Sequence, residues 1–251
     1  MGANPHVWLG AYFVVDPDKE ALILELYNQG YDVYMAYARG TEYSRKHEKY
    51  SAKDGEFWDW SWWELGTQDT KAMVDYIYNS TGGQRVSYMG YSQGTTQIFA
   101  ATAGMHEWFG ARMNKVAVLA PCTVTAVNMY SFVNGLFSTV TDILDIHEIG
   151  GPSWLETLPK LSAVIGREQL AGFLAMGWGS RLTNVSLKAI YHYAQNAQED
   201  VFQLYSDSYW WPLFAKKRTR ELKLSDNTTI PFGMFIGANE DTCLIPQSEK
   251  N

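Results

Sequence analysis

Several features that would narrow the function are scarce in this sequence. Its 251 residues include two cysteines, Cys122 and Cys243, which are too few for a disulfide-rich scaffold and define no redox compartment. No apolar run reaches the roughly 18 residues that a membrane span needs. Residues 1–10 lack the basic start and apolar stretch of a signal peptide. The net charge of −7 argues against nucleic acid as a partner, because phosphate binding requires a basic face.

The composition that remains is that of a folded protein rich in aromatic side chains. Apolar residues make up 46% of the chain and charged residues 19%, which excludes a disordered protein. The aromatic share of 15% suits a packed core and also a site for apolar ligands. No motif indicates a metal or a cofactor, so the sequence predicts neither.

Strands and helices alternate along the first half of the chain. Each predicted strand is short and rich in β-forming residues, and Gly30 is placed to end the first helix. This alternation is typical of an α/β fold with a mostly parallel sheet and helices on both faces. The predicted elements are helices over residues 18–28, 63–78 and 95–105, and strands over 31–36, 86–89 and 115–120.

The alternation lapses after Pro121 and returns with a strand over residues 230–236. Between them the pattern favours helices and loops without a clear strand. We therefore predict an α/β core formed by residues 1–122 and 225–251. A mostly helical cap over residues 123–224 would be inserted into it.

A G-x-S-x-G motif occupies residues 90–94, with Ser92 at its centre. The predicted strand before it and helix after it are the context of a nucleophile elbow, in which a strained turn exposes the serine. Gly90 and Gly94 give that turn room, Tyr91 fills the second position, and the N–H of Gln93 would donate to an oxyanion. The alternative is a tight glycine turn with a surface serine.

A nucleophilic serine needs a histidine base and a carboxylate that orients it. In this fold the chain order is serine, acid, histidine, which makes Asp241 the candidate acid and Glu240 its alternative. A loop-capping role for Asp241 is also open. None of the five histidines follows Asp241, so we expect no catalytic histidine in this chain. For His192 a packed or hydrogen-bonded position is favoured over catalysis.

Ordered motifs along most of the chain resemble the acid lipases of the gastric and lysosomal type. The elbow GYSQGTT (residues 90–96) is similar to the family's GHSQGTT, with Tyr91 where histidine is usual. GANED (237–241) is similar to the family's loop that carries the catalytic acid. Further matching segments are GYDV (30–33), ARG (38–40), YS (43–44), EFWDWS (56–61), AP (120–121), VSLKAIYHYAQ (185–195) and FQ (202–203).

The resemblance implies an α/β-hydrolase core with a helical cap. It also implies hydrolysis of triacylglycerol or sterol esters at a lipid–water interface, in a secreted or lysosomal setting. Ser92 would be the nucleophile and Asp241 the acid, with Gln93 and Met1 as oxyanion donors. The family's first strands and its His-Gly oxyanion segment have no counterpart before Met1, and its C-terminal helix with the catalytic histidine has none after Asp241, so the chain is expected to be truncated at both ends. The alternative is an inactive α/β-hydrolase-like protein that binds lipid or serves as a scaffold.

Overall fold

The structure is a computed structural model that describes residues 6–10, 22–41, 43–125, 135–149, 185–209, 217–224, 229–238 and 243–244. The chain forms two compact units. The first consists of Met1–Ala38, Trp63–Thr123 and Lys223–Glu240. The second consists of Arg39–Trp62, Val124–Leu222 and Asp241–Asn251. The cap boundaries at residues 123 and 224 stay a prediction.

The described residues form short strands and helices of up to 13 residues. The strands are β1 (His6–Gly10), β2 (Asp32–Ala36), β3 (Val86–Tyr91), β4 (Met113–Leu119), β5 (Val124–Thr125), β6 (Glu148–Ile149), β7 (Val185–Ser186), β8 (Phe232–Phe235) and β9 (Cys243–Leu244). The α-helices are α1 (Leu22–Asn28), α2 (Trp62–Glu64), α3 (Lys71–Ser80), α4 (Gln93–Gly104), α5 (His106–Arg112), α6 (Gly135–Ile143) and α7 (Leu187–Glu199). A 3₁₀ turn spans Gly55–Trp58 and a π-helical turn spans Leu65–Thr70.

The first unit is built on a five-stranded sheet with the order β2-β1-β3-β4-β8. All four neighbouring pairs are parallel, which confirms the predicted α/β class. Strand β3 lies in the middle, and it alternates buried and half-buried residues, with Val86, Tyr88 and Gly90 buried. Because the loop after a central strand opens at the carboxyl edge of the sheet, β3 places residue 92 at that edge.

Most predicted elements of this unit are confirmed, with shifted ends. Helix α1 ends at Asn28, and the turn that follows it is completed by Gly30, whose φ of +86° is a conformation that residues with a side chain rarely adopt. The predicted helix over residues 63–78 is the α2–π–α3 segment, and the predicted strand over 230–236 is β8. Strand β1 and helix α5 were not predicted.

The π-helical turn brings a glycine against helix α4. A methyl group on Gly66 would lie 2.7 Å from the Cβ of Ala100, so only glycine allows this close approach. The Thr70 hydroxyl donates to the Leu65 carbonyl at 3.0 Å. This bond gives the carbonyl a side-chain donor in a turn where the π-helical geometry changes the usual backbone hydrogen bonds. The turn therefore fixes one side of the helix that follows Ser92.

The second unit packs aromatic side chains around helix α7. This helix begins at Ser186, whose hydroxyl accepts from the Lys188 N–H at 3.1 Å and donates to the Trp58 carbonyl at 2.7 Å. Short antiparallel pairs join β6 with β7 and β5 with β9. Strands β5, β6 and β7 were not anticipated in the predicted helical insertion, and β9 was not anticipated after it. Its buried aromatic side chains include Trp58, Trp60, Trp62, Phe137, Tyr191, Tyr193 and Phe202.

Membrane spans were sought among the described helices. None of these helices is both long and apolar enough to cross a bilayer.

Candidate active site

Ser92 is the single residue between strand β3 and helix α4. The strand ends at Tyr91 and the helix begins at Gln93, so the turn is tighter than the predicted one. Ser92 has φ 51° and ψ −117°. A positive φ on a residue with a side chain costs on the order of 1–3 kcal/mol and persists only where the surroundings enforce it. Such strain between strand and helix is the geometry of a nucleophile elbow.

The first motif glycine, Gly90, leaves no room for a side chain. A Cβ on Gly90 would lie 2.7 Å from the ring of Tyr88 and 2.8 Å from the carbonyl group of Gly94. Gly94 is buried in the first turn of α4. The helix can therefore start directly above the end of the strand, which aims the serine at the sheet edge.

Both backbone groups of Ser92 are hydrogen-bonded within the first unit. Its N–H donates to the Leu119 carbonyl at the end of β4, at 3.1 Å. Its carbonyl accepts from the Thr95 N–H at 2.8 Å and from the Thr95 hydroxyl at 2.6 Å. These bonds hold the strained conformation, because its release would leave buried polar groups unpaired.

The start of α4 supplies a positive electrostatic environment beside Ser92. Gln93 is the first residue of a 12-residue helix, and first-turn N–H groups have no partner within their own helix. An anion that develops at Ser92 would be stabilised by the Gln93 N–H and by the positive end of the helix dipole. Ser92 and Gln93 are half-buried and Tyr91 is 42% exposed, so a ligand can approach this turn.

The structure describes the predicted elbow but not its predicted partners. Asp241, its alternative Glu240 and the predicted oxyanion donor Met1 lie outside the described residues. Their roles stay predictions.

His192 is packed in the interior of the second unit, as favoured from the sequence. Its side chain is fully buried and stacks on Trp62 at 3.8 Å between ring centroids. Its Nε2–H donates to the Gln203 carbonyl at 2.7 Å. Burial lowers the pKa of His192 to about 3, although the Gln203 carbonyl opposes that shift. A neutral, enclosed imidazole of this kind serves packing.

The second unit also contains a cavity of about 680 Å³. Charged side chains line it, including Asp54, Asp142 and Lys188. No predicted site residue is among the residues that form its walls. Among the described residues, no group of three or more His, Cys, Asp or Glu side chains is arranged to hold a metal ion.

The sequence reasoning missed two side chains that brace the elbow, Tyr88 and Thr95, and the neighbouring Thr96, whose hydroxyl bonds to the segment after β4. The Tyr88 hydroxyl donates to the Gly94 carbonyl at 2.6 Å, and Thr95 and Thr96 bond to the segment after β4. The paired threonines after G-x-S-x-G were a visible signal. Their partner Cys122 lies 26 to 27 residues further along the chain, which no local pattern reveals.

A parallel α/β sheet with a strained serine between a central strand and its helix defines the α/β-hydrolase architecture. The chain is similar to lipases. It is 37% identical over 118 residues to a probable lipase of Schizosaccharomyces pombe, covering 47% of this chain and 24% of the relative. It is 33% identical over 157 residues to triacylglycerol lipase 2 of Arabidopsis thaliana, covering 62% of this chain and 36% of the relative.

The resemblance to acid lipases is confirmed by a third relative. Lysosomal acid lipase/cholesteryl ester hydrolase of Macaca fascicularis is 31% identical over 179 residues, covering 66% of this chain and 43% of the relative. The chain thus spans less than half the length of each of these three relatives.

Two other comparisons add little. No protein-family model matches the chain. A Bacillus licheniformis lipase structure aligns at a TM-score of 0.37 and 16% identity, covering 57% of this chain and 27% of that chain, which is too low to carry an argument.

Proposed function

We propose that this protein is a lipase-type serine ester hydrolase that acts on triacylglycerol or sterol esters. The observation that carries the proposal is the backbone of Ser92, held at φ 51° between β3 and the N-terminus of α4. Strain of this kind is retained where it serves a function. Similarity to lipases in three organisms supports the same reaction class.

In the proposed reaction the Ser92 hydroxyl attacks the ester carbonyl carbon. An Oγ–C bond forms while the hydroxyl proton passes to a histidine base, which Asp241 would orient. The N–H of Gln93, together with an N–H near Met1, would stabilise the carbonyl oxygen as it becomes negative. The tetrahedral intermediate expels the alcohol, which takes the proton from the histidine. Water then attacks the acyl-serine and releases the fatty acid.

The proposed substrate is an apolar ester at a lipid–water interface. The proposed cap over residues 123–224 and the 15% share of aromatic residues favour apolar ligands. One relative is named as a lysosomal acid lipase. We propose a secreted or lysosomal setting on this basis.

Labelling with a fluorescent fluorophosphonate tests the proposal, because this probe reacts covalently with activated serines. We expect the full gene product to be labelled and its Ser92→Ala variant to be unlabelled. Ser87→Ala, on the same strand, is the matched control and should label like the wild type.

Each result separates the two candidate functions. Labelling that survives Ser92→Ala would show that another residue reacts and would refute the assigned nucleophile. A folded full gene product that is not labelled would favour the inactive lipid-binding or scaffold protein.

A further inference from the structure

The hydroxyl of Thr95 joins the strained serine to the segment that follows β4. It donates to the Ser92 carbonyl at 2.6 Å and accepts from the Cys122 N–H at 2.8 Å. A threonine hydroxyl has one proton to donate, so this proton is committed to Ser92. Thr95 is fully buried, and water does not compete for either bond.

Ser92 is consequently tied to the end of β4 through both of its backbone groups. Its N–H bonds directly to the Leu119 carbonyl, and its carbonyl reaches Cys122 through Thr95. The segment between these anchors contains Ala120, which has a φ of 48° and whose N–H donates to the Phe235 carbonyl at 2.8 Å. The elbow is thus hydrogen-bonded to a turn that is itself hydrogen-bonded to β8.

The Thr96 hydroxyl bonds to the same residue, Cys122, at its other backbone group. It donates to the Cys122 carbonyl at 2.7 Å, while Thr95 holds the Cys122 N–H. Both threonines are fully buried and adjacent in the first turn of α4. The chain therefore offers two similar side chains whose hydroxyls donate to different carbonyls, that of Ser92 for Thr95 and that of Cys122 for Thr96.

We propose that Thr95 is a positioning residue that holds Ser92 in its reactive conformation. This inference rests on the proposed function of Ser92. If the Thr95 hydroxyl were lost, the Ser92 carbonyl would keep its backbone bonds but lose this side-chain donor, and the Cys122 N–H would lose the Thr95 oxygen as its acceptor. The serine would then relax from its strained geometry, because strain persists only where the surroundings enforce it.

The test compares Thr95→Val, Thr95→Ser and Thr96→Val in the full gene product. Valine keeps the shape of threonine without the hydroxyl, and serine keeps the hydroxyl. The readouts are the maximal fluorophosphonate labelling rate, the half-saturating probe concentration, and hydrogen exchange at the amides of residues 92–94. If Thr95→Val does not fold, Thr95→Cys replaces it, since a thiol is a weak donor.

We expect Thr95→Val to lower the maximal labelling rate by roughly 10- to 100-fold, as small misplacements of a reacting group do. Its half-saturating probe concentration should stay close to wild type. Thr95→Ser should restore the rate, and Thr96→Val should label close to wild type. Equal losses in Thr95→Val and Thr96→Val, or no rescue by serine, would reduce Thr95 to a general packing role and overturn the proposal.

Failure of the proposed function is distinguishable from failure of this inference. If the wild type is not labelled, the function fails, and hydrogen exchange still decides on Thr95. Faster exchange at residues 92–94 in Thr95→Val but not in Thr96→Val would support positioning. Equal exchange in both variants would overturn it.

Discussion

The Tyr88 hydroxyl donates a 2.6 Å hydrogen bond to the Gly94 carbonyl, across the turn that contains Ser92. Tyr88 is 1% exposed, and burial holds the pKa of its hydroxyl well above the ordinary value, so the group stays a donor. This bond links strand β3 to the first turn of α4. It supports the elbow from within the sheet.

Replacing Tyr88 with phenylalanine removes this bond and keeps the ring. We expect Tyr88→Phe to lower the free energy of unfolding by about 0.5–1.5 kcal/mol, because one buried hydrogen bond is lost. Urea unfolding measures the change. Tyr76→Phe, at a side chain that is 69% exposed, should stay within about 0.5 kcal/mol of wild type. Equal effects in the two variants would contradict the role of the bond.

Gly90 and Gly110 form a matched pair for testing the space in the elbow. A methyl group on Gly90 would meet the Tyr88 ring and the Gly94 carbonyl group at 2.7–2.8 Å, whereas one on Gly110 meets nothing within 4 Å. We expect Gly90→Ala to destabilise by about 1–3 kcal/mol through overpacking. Gly110→Ala, within helix α5, should stabilise by about 0.5–1 kcal/mol. Thermal unfolding of both variants measures the two changes in stability. A Gly90→Ala variant as stable as wild type would mean that the turn has more space than described.

Asp75 joins helices α3 and α5 through three donors. It accepts from Lys71 Nζ at 2.6 Å, Trp108 Nε1 at 2.8 Å and Arg112 Nε at 3.1 Å. Burial alone would raise the pKa of Asp75, but the bonds from Lys71, Trp108 and Arg112 outweigh it and hold the pKa below its ordinary value. The Asp75 carboxylate therefore contributes its full stabilisation at pH values above the pKa that Asp75 has in the unfolded state. This contribution is lost as the pH falls through the pKa that Asp75 has in the folded state.

We expect Asp75→Asn to lower the free energy of unfolding at pH 7 by about 1–3 kcal/mol, as charged hydrogen bonds are lost. The difference from wild type should shrink below pH 4, where the unfolded carboxyl is protonated. Glu107→Gln, an exposed acid on α5, controls for the loss of one charge. A difference that stays constant from pH 7 to pH 3 would show that Asp75 contributes by packing instead.

His192 makes the stability of the second unit depend on pH. Its pKa is lowered to about 3 by burial, whereas an unfolded histidine titrates near 6.5. Between these values the unfolded state binds a proton that the folded state does not. The stabilisation is therefore complete above pH 6.5 and is lost as the pH falls, by at most about 1.4 kcal/mol per pH unit.

We expect His192→Gln to flatten the decline in unfolding free energy between pH 7 and pH 5. The variant will also be less stable at pH 7, because it loses the stacking on Trp62. Urea unfolding at pH 7, 6 and 5 gives both quantities. His106→Gln removes an exposed histidine, and its unfolding free energy should fall with decreasing pH as that of wild type does. If the unfolding free energy of His192→Gln declines with falling pH as steeply as that of wild type, the buried imidazole is not the source of the pH dependence.

Within the first unit, the strand–turn–helix around Ser92 was predictable from local residues. Alternating β-formers before Gly90 and small residues after Gly94 specify the elements, and two glycines flanking a serine specify a tight turn. The ends were less predictable: β3 continues to Tyr91 and α4 begins at Gln93. Ends depend on hydrogen bonds to other segments, such as the bond from Ser92 to Leu119.

The sequence by itself determined the α/β class, the position of Ser92 and the similarity to lipases, because these depend on periodicity and short ordered motifs. Only the tertiary structure placed β1 between β2 and β3, joined Thr95 to Cys122 and enclosed His192 against Trp62. Each of these joins residues that are distant in the chain. Such contacts are selected by the apolar surface that is buried together and by the pairing of buried polar groups, and neither leaves a local periodic signal.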